Sequence, residues 1–540
     1  MPTFPTPDAQ GTDLPSAATA GSQPPPRRIL DRKLSDIFPP NAGNLLATVL
    51  LALTVITRLY GLGERVFTHD ELNTITAAYS LAGSGHMGWS PMMHGPLEMH
   101  LTAASFIFFG DSDISARLPF ALFGIATVGI ALFLFRRYLG RAGALTAGLL
   151  ILISPFMLYY ARYTRNEALI AVWTLLSLYA VLRYLERGET KMLILFTAVY
   201  ALHSTDKITS LIHGGGLMVF LAGYFLVRFL RRRDIAREAV ARFLVCLTGS
   251  AVCLAVAAGL LRGADPPMTV PGVVFASVGL VVAVAGAFLL LRDGNWKKMR
   301  DERSFDLMVV LGTLTLPLIS AAPVRLLGLD PMSLDPSNRI PSLVILLILA
   351  AASIAIGLLW RPTVWPFLAA LFFGIFAFFF TSGFSNLGGL TDGLFNFFGY
   401  WISVQLLEGH LVYQPWFYYL LIQIPVYEFL PAFGTAVAAF LCWRRRLWNS
   451  VAERPFEKTF AADDRPVPFM ALVLFWAIFN AAVFSYASEK MPQQTTLIAV
   501  PMILAAAWAV GYLLETGAVR IVLRPLGWIV GIPSRIAGWF

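Results

Sequence analysis

The chain has 540 residues, 57% of them hydrophobic and only 14% charged, with a formal net charge of +9. Soluble domains carry about 25% charged residues, so the composition excludes an ordinary soluble enzyme and points to a chain embedded in a bilayer. The basic excess lies in short clusters at the ends of apolar runs, which makes it topology information and removes the case for a nucleic-acid partner.

Residues 1–42 are rich in Pro, Ala, Ser and Gln and include Pro24-Pro25-Pro26. Such a segment cannot bury a core, and we expect a disordered cytoplasmic tail. No apolar stretch stands near Met1, so no ordinary cleaved signal peptide is expected, and the first span acts as the insertion signal. Residues 43–515 are expected to form one multi-span domain, followed by a cytoplasmic or interfacial tail over 516–540. The runs Asn44–Leu59, Leu118–Phe135, Val270–Leu291 and Leu343–Leu359 approach or meet the roughly 20 apolar residues that a span needs.

Arg27, Arg28, Arg32 and Lys33 precede the first span and place the N-terminus in the cytoplasm. Later clusters return to the same side: Arg136-Arg137, Arg183 and Arg187, Arg231–Arg233, Lys297-Lys298, Arg361 and Arg444–Arg446. Two further spans, near Phe469–Tyr486 and Thr495–Leu514, bring the expected total to about fourteen. The expected location is the cell (plasma) membrane, multi-pass. The three cysteines, Cys246, Cys253 and Cys442, lie in apolar runs and read as packing residues, with no disulfide or metal spacing.

This topology leaves the polar segments Gly61–Ala116, Arg162–Glu167, His203–Lys207, Thr381–Gln414 and Ser488–Gln494 on the extracytoplasmic face. The first contains Asp70-Glu71 ahead of an amphipathic stretch, Leu72 to Leu81, and a second candidate helix from Pro96 to Phe109. Both helices suit the membrane surface. A carboxylate pair at a helix N-terminus is favoured by the helix dipole, so capping is the simpler reading and catalysis the sharper one. Arg162 and Arg165 are candidates to grip a phosphate, since guanidinium forks match phosphate oxygens, or else anchor at the interface. Asp206-Lys207 reads as a buried ion pair or a functional pair, and Lys490 as a further phosphate contact. No cofactor is required; a divalent cation is possible, with His69 and His94 as the metal candidates, although no tight ligand spacing is present. Gly83-Ser84-Gly85-His86-Met87-Gly88 fits a dinucleotide fingerprint but follows no strand, and no Walker A sequence occurs.

Asp70-Glu71, His94-Gly95-Pro96-Leu97, Ala116-Arg117-Leu118-Pro119 and Phe123-Gly124, in this order, resemble the GT-C glycosyltransferases. The nearest branches are the protein O-mannosyltransferases and the lipid A aminoarabinose transferases, whose H-P-P-L-type turn has Pro where Gly95 stands. Tyr160–Glu167, Tyr400-Trp401, Gln414-Pro415 with Tyr418-Tyr419, Tyr427-Glu428-Phe429 and Glu489-Lys490-Met491-Pro492 resemble a branch described as flippase-activity-associated. Gln493 departs from the Trp expected after the Lys-x-Pro element.

The resemblance implies an all-α, polytopic transmembrane helical bundle of GT-C type with amphipathic juxtamembrane helices in the first outer loop. It implies transfer of a sugar, hexosyl or mannosyl, from a polyprenyl-phosphate donor to a protein, lipid or glycan acceptor, with inversion. Asp70 would be the general base and Glu71 its catalytic neighbour; Arg162, Arg165, Lys207 and Lys490 would meet the donor phosphate. His94, Arg117, Glu167, Tyr413, Gln414 and Glu489 would line the substrate, and the loop Thr381–Gln414 would close over it. Two other readings stand beside this one: a polyprenyl-linked lipid flippase or transporter component, and a non-catalytic partner in cell-envelope glycan assembly. Transporters place their charges near the bilayer midplane, whereas these cluster at one face, and the intact Asp70-Glu71 pair speaks against lost chemistry.

Overall fold

The computed structural model describes residues 41–231, 237–262, 269–291, 295–401, 414–447, 465–487 and 490–516, and among them there is no β-strand. The chain is a bundle of helices: α1 (Ala42–Leu59), α2 (His69–Ser84), α3 (Leu97–Phe109), α4 (Asp113–Phe133), α5 (Arg136–Ile153), α6 (Pro155–Tyr160), α7 (Glu167–Arg187), α8 (Thr190–Asp206), α9 (Thr209–Leu230), α10 (Arg237–Arg262), α11 (Thr269–Leu291), α12 (Arg303–Thr315), α13 (Pro336–Trp360), α14 (Trp365–Phe380), α15 (Phe429–Arg445), α16 (Phe469–Tyr486) and α17 (Thr495–Glu515), with shorter turns between them.

Among the described residues eight helices are long and apolar enough to cross a membrane, or ten if each of two bent pairs is one span. That is fewer than the fourteen expected. That count covers the described residues alone, and the 23-residue α11, at the expected span Val270–Leu291, stands outside it. Helix α5 lies where a span was expected but opens with Arg136, Arg137 and Arg141. Helices α8 and α14 have only 17 and 16 residues. The segment before α15 is bent by 107°.

Local chemistry explains the helix ends near the polar loop. Thr68 caps α2 in a capping box with Glu71, and Gly85, at φ 72°, ends it in the left-handed conformation. Ser112 and Ser115 form a second capping box at the start of α4. Helix α3 is more buried than a surface helix: Leu97, Met99, Ala103 and Phe106 face the interior, while Ile107, Phe108 and Phe109 are exposed. Helices α5 and α17 meet backbone to backbone, since a Cβ on Gly511 would lie 2.6 Å from the Leu139 carbonyl oxygen and 2.8 Å from Gly143 Cα. Small residues at that crossing are what close helix packing in a membrane requires.

The two ends of the bundle differ in chemistry. At one end arginines from the basic clusters brace buried acids. Arg137 Nε lies 3.2 Å from Glu186 Oε2, and Arg183 meets the same carboxylate. Arg228 donates to Glu302 at 2.9 Å, and Arg361 to Asp306 at 2.8 Å. The opposite end gathers the C-termini of α1, α5 and α8 and the N-termini of α2, α4 and α7. There Arg58, fully buried, donates to the Ile151 and Leu152 carbonyls at 3.0 and 3.2 Å and so ties the end of α1 to the end of α5.

Candidate active site

Glu71 is the anchor of this second end. Its carboxylate is fully buried and takes Arg117 Nε at 2.8 Å and Nη2 at 3.2 Å, Arg65 Nη2 at 2.8 Å, and the backbone N–H groups of Thr68 and Thr164 at 3.1 and 3.2 Å. Burial pushes its pKa up, but the Arg117 hydrogen bond, the two N–H groups and the Arg117 charge outweigh that and hold it below the ordinary value. Arg117, also fully buried, donates onward to the Leu62 and Arg65 carbonyls at 3.0 and 2.8 Å. Tyr163 joins the Thr68 hydroxyl, and Arg65 lies over the rings of Tyr159 and Tyr163 at 5.0 and 4.7 Å. Glu71 therefore holds the loop, the start of α2 and the Tyr160–Glu167 segment together, and its oxygens are already filled by protein donors.

Asp70, one residue earlier, behaves differently. Its side chain is 48% exposed and pairs with Arg165. Arg165 Nε also lies 3.5 Å from Glu167 Oε2, and Lys207 Nζ donates to Glu167 Oε1 at 2.7 Å. A chain of alternating charges, Asp70–Arg165–Glu167–Lys207, runs from the surface into the interior. Asn166 Nδ2 donates to Asp206 Oδ1 at 2.6 Å, which joins the start of α7 to the end of α8. Lys207 thus takes Glu167 as its partner, not the neighbouring Asp206.

The His94-Gly95 turn closes onto the same place. Gly95 N–H donates to the Asp206 carbonyl at 2.8 Å. A Cβ there would lie 2.1 Å from the Thr205 carbonyl oxygen, so only glycine fits. His94 has φ 66° and ψ −151°, a conformation that costs a non-glycine residue about 1–3 kcal/mol. The Trp89 indole N–H holds its carbonyl at 2.9 Å and Trp401 stacks on its ring at 4.8 Å. Burial, with Lys207 and Arg165 nearby, keeps the imidazole pKa well below its usual value.

The other predicted residues fall in separate places. Arg162 gives its guanidinium to the carbonyls of Thr57, Tyr60 and Gly61 at 2.7, 2.6 and 3.0 Å. It caps the C-terminus of α1, where a cation meets the negative end of the helix dipole. Lys490 is buried, donates to the Ala487 carbonyl at 2.8 Å, and has its pKa lowered by burial. It precedes the Gln494 side chain that accepts from Tyr419 Oη at 2.6 Å. Gln414 is half-buried and His69 exposed. Tyr413 and Glu489 lie outside the described residues. His69 and His94 do not form a shared site, and among the described residues no group of three or more His, Cys, Asp or Glu side chains is arranged to hold a metal ion.

Glu98 is the functional-looking residue that sequence reasoning passed over. It is buried in the first turn of α3, held by Thr74 Oγ1 at 3.0 Å. Burial first, and Asp206 nearby second, raise its pKa well above the ordinary value. The available signal was a lone carboxylate in an otherwise apolar helix.

Residues 93–261, under a third of the chain, match the family described as dolichyl-phosphate-mannose-protein mannosyltransferase. No curated protein matches the sequence. The fold is similar to that of ArnT from Cupriavidus metallidurans in the apo state, at 15% identity over 92% of this chain and 68% of that one, with a TM-score of 0.43. It is also similar to the Archaeoglobus fulgidus oligosaccharyltransferase in the apo form, at 12% identity over 93% and 54% of the two chains and a TM-score of 0.47. A third is the archaeal oligosaccharyltransferase AglB from Archaeoglobus fulgidus in complex with an inhibitory peptide and a dolichol-phosphate, at 13% identity over 94% and 54% and a TM-score of 0.46. The chain spans about half the length of the two archaeal proteins. At this distance the likeness concerns the helical backbone and says nothing of activity.

Proposed function

We propose that the chain transfers a sugar from a polyprenyl-phosphate donor to an acceptor hydroxyl at the extracytoplasmic face of the cell membrane, with Asp70 as general base. The observation that carries this is the contrast within one tandem pair. Glu71 is sealed in a clamp of arginines and N–H groups, while Asp70, rigidly placed beside it, exposes its carboxylate next to Arg165. The match of residues 93–261 to the mannosyltransferase family supports the same reaction class.

In this mechanism the acceptor hydroxyl attacks the anomeric carbon as the bond from that carbon to the phosphate oxygen breaks, which inverts configuration. The hydroxyl proton passes to Asp70, and the electron pair leaves with the lipid phosphate. Arg165, beside Asp70, stabilises the charge that develops there. Arg162 and Glu71 position their neighbours, since both are occupied by protein groups. Protein, lipid and glycan hydroxyls are all suitable acceptors.

The test is transfer from a panel of radiolabelled polyprenyl-phosphate sugars by the purified full chain in liposomes, with Asp70→Asn alongside. Loss of the general base is expected to lower turnover about 10²–10⁴-fold. Full activity in Asp70→Asn would refute the assignment. Transbilayer movement of the lipid without turnover would favour a flippase instead.

A further inference from the structure

Behind the Asp70–Arg165 pair lies a group of side chains whose hydrogen-bonding capacity is open. Thr74 donates to Glu98 Oε1, but Glu98 Oε2 is buried with no partner among the described residues. Asn166 donates to Asp206 Oδ1, but Asp206 Oδ2 and Asn166 Oδ1 are equally buried and open. The Trp173 indole N–H approaches Asp206 without closing a hydrogen bond. His94 Nδ1, on the strained turn that Gly95 pins to Asp206, is also buried and open. The nearby cations are engaged elsewhere: Lys207 holds Glu167, and Arg165 holds Asp70 and Glu167.

Two of the open oxygens belong to acids without a cation of their own, and Glu98, whose pKa burial raises, can present its open oxygen as donor or acceptor. Burying such groups is unfavourable until a hydrogen-bond partner meets them. What they lack is a ligand with several hydroxyl groups on a small rigid frame, and the link to the base assigned above is Arg165, which pairs with Asp70 and feels the charge of Glu98. We propose that Glu98, Asp206 and Asn166 form the subsite for the hydrogen-bonding substituents, hydroxyl or ammonium, of the transferred sugar. This rests on the glycosyl-transfer reading and names the residues that select its sugar.

Equilibrium binding to the full chain in liposomes tests the subsite without needing turnover. The probes are bare polyprenyl phosphate, the same lipid carrying mannose, glucose, galactose or arabinose, and the single-deoxy and amino-deoxy forms of whichever sugar binds most tightly. One deoxy form is expected to bind at least about tenfold more weakly than its parent, because a site built to hydrogen-bond a hydroxyl rejects the analogue lacking it. Glu98→Gln and Asp206→Asn, close in shape to the originals, are expected to cut that penalty to about threefold or less while bare polyprenyl phosphate binds unchanged. An amino form that loses more than the hydroxyl parent to Glu98→Gln assigns ammonium; the reverse assigns hydroxyl. Equal binding of parent and every deoxy form overturns the subsite whatever the variants do, and so does a penalty that persists in both variants; ordered water then fills the open acceptors. Normal sugar transfer with no deoxy penalty sinks this inference alone. A deoxy penalty with full transfer by Asp70→Asn sinks only the base, and a chain that binds no glycosylated lipid sinks both.

Discussion

Replacing Glu71 by glutamine keeps shape and removes one charge, so it tests the clamp beneath Asp70. The carboxylate faces only donors: Arg117 Nε and Thr164 N–H at Oε1, and Arg65, Arg117 Nη2 and Thr68 N–H at Oε2. Whichever way the amide turns, its NH₂ confronts at least two buried donors and leaves the Arg117 guanidinium without its counter-charge. Breaking a buried pair by removing one partner costs about 3–5 kcal/mol. The expected outcome of Glu71→Gln is destabilisation of that size, read by chemical unfolding in detergent. The pH dependence carries a sign as well. The folded pKa of Glu71 is depressed, so its contribution is present above the unfolded value of about 4.3 and is lost as pH falls through the folded value. Glu71→Gln is therefore expected to flatten the acid limb. A variant within about 1 kcal/mol of the parent protein, with the same acid limb, would refute the clamp.

Three further outcomes follow from the geometry. Arg162→Ala removes the donors to three carbonyls at the end of α1 and is expected to cost about 1–3 kcal/mol of unfolding free energy, with the KM for the lipid donor unchanged within about twofold; a tenfold rise in KM would make Arg162 a phosphate ligand after all. Gly95→Ala drives a Cβ into the Thr205 carbonyl and is expected to cost about 1–3 kcal/mol and to lower transfer, whereas a variant with parent stability would show that the turn can shift. Glu98 has a raised folded pKa, so its contribution is greatest below the unfolded value and is lost as pH rises through the folded one. Glu98→Gln is thus expected to gain stability relative to the parent as pH is raised from about 4 to 8, and an unchanged difference across that range would contradict a neutral Glu98.

Much of the architecture is legible in the sequence because hydropathy reports a bilayer-embedded helix directly. The stretch opened by Thr68 and Glu71 announces the start of α2, and Asp70-Glu71 stands out because charge is so scarce. The pairing pattern is less accessible. Arg162 and Arg165 look alike in sequence, yet one points to the carbonyls of α1 and the other to Asp70, a difference set by the sharp turn between α6 and α7. Lys207 sits beside Asp206 but bonds Glu167, 40 positions away, because the start of α7 abuts the end of α8. Glu98 is masked by the apolar residues around it. Hydropathy alone also does not show that two of the apolar runs fold into helices of only 16 and 17 residues.

Those short helices carry a consequence for the membrane itself. At 1.5 Å per residue, α14 and α8 rise about 24–26 Å, against a hydrocarbon core of about 30 Å. Both begin at the arginine-braced end and finish at the site, α8 at Asp206 and α14 at Phe380, whose ring meets Trp89 at 5.8 Å. Of the two, α14 is the one with exposed apolar rings, Phe367 and Phe378, and a helix this short is accommodated by local thinning of the bilayer, by flanking side chains reaching to the interface or by association with a neighbour.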